Sequence, residues 1–141
     1  MTSSAILCLL AAFAQVCLTL LAILRMGLAR VASVESGETK LADIAIVDRA
    51  WPEPIQKMQA NVRNQFETPV LFFAGIATAL GIGAATWSVA IFAWIYVASR
   101  IVHHLIHVGS NSIGKRFRAF IIGLAALLGL WLALIVSALL S

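Results

Sequence analysis

Charge is what this chain has least of. Only 11% of its 141 residues are Asp, Glu, Lys or Arg, against roughly a quarter in a soluble domain, and 62% are hydrophobic. That balance excludes a soluble globular protein. It also argues against nucleic acid as a partner, because ten basic residues in so apolar a chain do not supply the charge density a nucleic-acid face needs. Cysteine is scarce as well. Cys8 and Cys17 stand nine residues apart, on opposite sides of a helix at about 100° per residue, so they do not pair with each other. No repeated unit, low-complexity tract or second domain interrupts the chain, which reads as one membrane domain over residues 1–141.

The few charges are grouped. Residues 1–24, 68–99 and 119–141 carry none, so all sixteen lie in 25–67 and 100–118. An apolar stretch of about 20 residues spans a hydrocarbon core of about 30 Å, and the first and last stretches each predict one transmembrane helix. The middle stretch of 32 residues would run about 48 Å as a single helix, too long for a simple span. Gly81, Gly83, Thr86 and Ser88 mark a turn near its centre, so it predicts a helical hairpin. The expected fold is an all-α integral membrane protein: a four-transmembrane-helix, up-down-up-down antiparallel bundle. Its helices are expected near 4–25, 54–82, 87–108 and 115–140, with a long loop over 26–53.

Arg25 follows the first apolar run directly and no basic residue precedes it, so a retained helix is expected instead of a cleaved signal. All ten Lys and Arg fall in the two loops that this topology puts on one side. The preference of bases for the cytoplasm makes the 26–53 and 109–115 loops cytoplasmic and both termini outside. Six bases and six acids balance in 25–67, whereas 100–118 has four bases and no acid, so the second segment holds the entire net charge of +4. In the first loop, Ser36, Gly37 and Glu38 suggest a turn. Trp51, Pro52 and Pro54 suggest an interfacial anchor leading into the second helix.

Ionisable groups at membrane depth are costly and usually face protein or a wet cavity. A turn centred between Ala84 and Ala85 sets Glu67 near the membrane edge, level with Arg100 and His103, and Arg63 and Asn64 beside His107. Arg63, Asn64 and Glu67 have helical spacings that let them share one face, as do Arg100, His103 and His107; His104 points elsewhere. Lys115, Arg116 and Arg118 arrive at the same depth from the fourth helix. Such a set fits a small anionic ligand. Arg forks bind carboxylates and stabilise developing anions, while Asn and Glu hold an amide or ammonium. A ligand thiol beside Arg would favour its thiolate. His103 and His107, four apart, have metal-ligand spacing with Glu67 as a third donor, but too few further ligands stand nearby to complete a metal site.

Two local patterns resemble the MAPEG superfamily, the membrane-associated proteins of eicosanoid and glutathione metabolism. Arg63-Asn64-Gln65-Phe66-Glu67-Thr68-Pro69 is similar to the family's Asn-x-x-Glu followed shortly by Pro. Arg100-x-x-His103-x-x-x-His107, with Arg116 beyond, is similar to the Arg-x-x-His-x-x-x-Tyr and later Arg of glutathione-dependent members. The resemblance covers most of the chain. It implies a homotrimer with glutathione held between subunits near the cytoplasmic face, by Arg63, Asn64, Glu67, Arg100, His103 and His107. It assigns Arg116 to the thiolate and catalysis. The implied function is a glutathione-dependent transferase or peroxidase-like protein acting on lipophilic substrates from the lipid bilayer. The alternative is a non-enzymatic accessory subunit or lipid-binding bundle of the same fold. Ala60 stands where characterised members usually carry Arg, His107 where they carry Tyr, and Phe117 and Phe120 replace groups that are polar or hydroxylated in some catalytic members.

Overall fold

In the computed structural model, which describes residues 1–45 and 50–140, the chain is helical and no strand occurs among the described residues. Thr2, extended at φ −72° and ψ 159°, caps the first helix by accepting from the Ala5 N–H at 3.2 Å. Helix α1 then runs Ser3–Glu35. The 26–53 connection therefore starts with ten more helical residues. Nothing between Arg25 and Glu35 breaks a helix, and the run stops only where Ser36 and Gly37, at φ +76°, turn the chain. A single turn, α2, covers Leu41–Ile44. Residues 46–49 of the expected loop lie outside the described residues.

The helix expected over 54–82 is two helices. Helix α3 spans Glu53–Asn64 and α4 spans Thr68–Gly81, separated by Gln65, Phe66 and Glu67. Pro69 explains the break: it has no N–H to give the Gln65 carbonyl, and its ring would collide with that carbonyl in a continuous helix. Arg63, Asn64 and Glu67 consequently do not share one helix face. Helix α4 ends in a Schellman turn in which the Ala84 N–H reaches the Ala79 carbonyl at 2.8 Å and the Gly83 N–H reaches Leu80 at 3.4 Å. Gly83 takes the left-handed φ of +73° that this turn requires. Helices α5, Trp87–Val108, and α6, Ile113–Leu140, complete the chain.

Among the described residues, three helices, α1, α5 and α6, are long and apolar enough to cross a membrane. Their composition is that of an integral membrane protein. At 14 residues, α4 is about 21 Å long and falls short of a hydrocarbon core by itself. Glu67 stands at its start, in the break between α3 and α4.

The most extensive packing is between α5 and α6. Their backbones approach where a side chain is absent: a Cβ on Gly123 would stand 2.6 Å from Ser99 Oγ, and one on Gly129 would stand 2.6 Å from the Phe92 ring. Across from them, Tyr96 stacks on Phe72 at 4.7 Å and its hydroxyl meets Thr68 Oγ1 at 3.0 Å. Cys8 is buried and Cys17 exposed, on opposite sides of α1 as their spacing predicts. Trp51 is buried beneath Arg30, whose guanidinium lies 5.0 Å from the ring centroid and donates to Gln59 at 3.0 Å. That contact ties the extension of α1 to α3.

Candidate functional site

The break between α3 and α4 sends adjacent amides in opposite directions. Asn64, the last residue of α3, faces α5, where its Nδ2 donates to His107 Nδ1 at 3.3 Å. Its backbone carbonyl accepts from Arg100 Nη2 at 2.8 Å. Gln65 faces α1, and its Oε1 accepts from Gln15 Nε2 at 3.0 Å. One turn earlier, Asn61 Nδ2 donates to His104 Nδ1 at 2.8 Å. The pairs Asn61–His104 and Asn64–His107 are both 43 residues apart. One turn of α3 is thus tied by two amides to one turn of α5.

Arg100 is 2% exposed and forms no ion pair among the described residues; its Nε has no partner. A buried guanidinium supported by a single hydrogen bond is an arrangement that favours an anion. Three residues along, His103 Nδ1 lies 3.2 Å from the Arg116 carbonyl oxygen. A carbonyl has no proton to give, so Nδ1 carries the hydrogen, and the neutral ring leaves the Nε2 lone pair free. That nitrogen is buried with no partner. The turn between α5 and α6 fixes Arg116: Asn111, at φ +49°, accepts from Arg116 Nη1 at 2.8 Å. Asn is one of the few residues that tolerate this left-handed backbone.

Asn64, His103 and Arg116, with Ile113, Phe117 and Phe120, line a cavity of about 210 Å³. The His107 ring lies edge-on to His103 at 5.6 Å between centroids. Of the residues marked in the sequence, Asn64, His103 and Arg116 thus meet at one cavity, and His107 and Arg100 hold Asn64. Arg63 and Glu67 are exposed and outside the lining. Sequence reading missed Asn61, Gln65, Gln15 and His104. Gln15 carried a signal, being an amide in an otherwise uncharged apolar run, where polar side chains commonly bond to another helix. His104 carried none, since its neighbour in space lies on α3 and not on its own helix.

The MAPEG family model matches residues 8–136. The chain belongs to the MAPEG family, whose members are membrane proteins related to glutathione and eicosanoid metabolism. No curated protein and no solved structure matches it.

Proposed function

We propose that this MAPEG-family chain binds glutathione and activates its thiol for transfer to a lipophilic electrophile drawn from the bilayer. The observation that carries the reading is that His103, whose Nε2 has no hydrogen-bond partner, and Arg116 line the same cavity. A base and a cation side by side are what a thiol needs to react at neutral pH: Nε2 accepts the proton, and Arg116 stabilises the sulfur anion. The thiolate then attacks an electrophilic carbon, forming the C–S bond, and the proton held by His103 is available to the departing or ring-opened oxygen. Asn64 supplies an amide for the peptide of glutathione, and Arg100 holds Asn64 in place and adds positive charge behind it.

The cavity is smaller than the roughly 300 Å³ at which pockets begin to enclose drug-sized ligands. One chain therefore holds one end of glutathione. Glu67 is an exposed carboxylate beside the apolar helix α4, where facing hydrocarbon would be costly. Both facts support a neighbouring subunit that covers Glu67 and Arg63 and brings them to the rest of the ligand, and the family resemblance makes that assembly a homotrimer. In that assembly α3 and α4 together make a fourth crossing of an up-down-up-down bundle. The distribution of bases supports a topology with the 26–53 and 109–115 loops cytoplasmic and both termini outside.

Calorimetry on detergent-purified protein tests the reading. Glutathione binding that is lost in Arg116→Ala is expected; no heat from the unaltered protein at millimolar glutathione would overturn it.

A further inference from the structure

Helix α3 has only 12 residues, and the break after Asn64 separates it from α4, so its rotation and height depend on what its own side chains touch. Two of its residues are buried, Ile55 and Asn61. The apolar contact of Ile55 tolerates rotation, because hydrophobic attraction has no direction. Asn61 is 1% exposed and donates from Nδ2 to Nδ1 of His104, itself 2% exposed, at 2.8 Å. Asn61 Oδ1 and His104 Nε2 have no partner, so this bond is the one side-chain link that either residue makes among the described residues. On its other side α3 is held by the bond from Arg30 to Gln59, between two half-buried side chains. His104 follows His103 in the chain, yet it does not line the cavity that His103 shares with Arg116.

The two rungs between α3 and α5, Asn61–His104 and Asn64–His107, lie about 4.5 Å apart along each helix axis. They differ in kind. The first is short and buried, whereas Asn64 is half-buried, lines the cavity and reaches His107 at 3.3 Å. The longer bond beside the cavity is the one a ligand can replace. We propose that His104 is a positioning residue for the His103 and Arg116 cavity: by holding Asn61 it fixes α3, so that Asn64 can leave His107 for the peptide of glutathione and stay in place. The proposal rests on the glutathione reading of that cavity. Buried hydrogen-bonded pairs specify one register where apolar surfaces allow several. Because His104 accepts at Nδ1, its ring proton sits on Nε2, the reverse of His103. Position 104 therefore needs an acceptor bonded to Cγ, which Asn supplies and Leu does not.

The test uses the full chain in detergent, unaltered and as His104→Leu, His104→Asn and the double variant Asn61→Leu with His104→Leu. In calorimetry, His104→Leu is expected to raise the Kd for glutathione about tenfold, as for one buried hydrogen bond lost, with the number of sites per chain unchanged. Its conjugation rate at saturating glutathione is expected to stay within about twofold, because His103 and Arg116 stand on α5 and α6. A merely structural role would instead lower the number of sites at constant Kd. His104→Asn is expected to keep Kd within about twofold of the unaltered protein. The double variant, which leaves no buried polar group unpaired, is expected to recover thermal stability but not affinity. An unchanged Kd in His104→Leu would overturn the proposal, as would a double variant that regains affinity or a His104→Asn that binds as weakly as His104→Leu. Hydrogen exchange in the ligand-free protein reads the anchoring without glutathione. The backbone amides of 58–64 are expected to exchange faster in His104→Leu and those of α6 to be unaffected; no change in α3 would also overturn it. Absence of glutathione heat from the unaltered protein is failure of the thiol reading, and hydrogen exchange then decides the anchoring by itself.

Discussion

At the level of single side chains, reactivity in this protein is set by which ring nitrogen or amide end is already occupied. His103 is committed at Nδ1 to the Arg116 carbonyl, which leaves Nε2 for the base that the proposed function requires. His103→Gln keeps an amide nitrogen for the carbonyl but removes the basic lone pair. Glutathione conjugation is expected to fall about 100-fold or more with little change in glutathione affinity, as is usual for loss of a general base; a change in affinity alone, read by calorimetry, would contradict the assignment. Arg116→Lys retains the charge but not the planar fork, and Lys is not equivalent where a guanidinium is fixed by a side-chain acceptor such as Asn111. A loss of about tenfold or more in conjugation rate is expected, because the flexible ammonium is no longer held at the cavity wall. The sequence made Asn64, His103 and Arg116 visible by their type and spacing. It set His104 aside and gave Gln65 no role, because a partner on another helix and a side chain's direction after a helix break are not periodic properties.

Among the helices, the bonds that matter join partners far apart in sequence. Gln15 and Gln65 link α1 to the start of α4 inside an apolar layer. Gln15→Leu leaves the Gln65 amide buried with neither end paired and is expected to lower stability by about 1–2 kcal/mol, whereas Gln15→Leu combined with Gln65→Leu is expected to restore most of it. Thermal unfolding in detergent reads the difference. Gly129 lets α6 rest directly on the Phe92 ring, and Gly129→Leu must push those helices apart at a cost of about 1–3 kcal/mol. The ion pair of Glu53 and Lys57 on α3 is different in kind. Lys57, at 2.7 Å, holds the Glu53 carboxyl below its ordinary range. Any stabilisation it gives is present above the ordinary carboxylate pKa and is lost as the pH falls through the lowered one. Both groups meet solvent, so Glu53→Gln is expected to leave the melting temperature at neutral pH unchanged.

At the scale of the whole molecule, the proposed homotrimer makes the site of one chain part of a shared one. The small cavity and the exposed Glu67 are what such a neighbour would complete and cover. Mass measurement of the detergent-free complex is expected to give three chains, and glutathione at about 100 times its Kd to stabilise that complex by about 2.7 kcal/mol. A monomer stabilised to the same extent would show that the cavity of one chain suffices.

Much of this architecture was determined by the sequence alone, because hydrophobic run length against membrane thickness is a one-dimensional measure. Residues 1–24 and 119–141 announced two spanning helices, and Gly83 announced the turn between α4 and α5. Pro69 was legible as a residue but not as a hinge: whether a proline kinks a helix or divides it depends on what receives the freed carbonyl and the two segments. The tertiary structure decided that α3 and α4 are separate helices divided at Gln65, Phe66 and Glu67. It also decided that Asn64 and Gln65, neighbours in the chain, face different helices. Those outcomes depend on partners 43 and 50 residues away in the chain, and contacts of that range are set by packing and not by local periodicity.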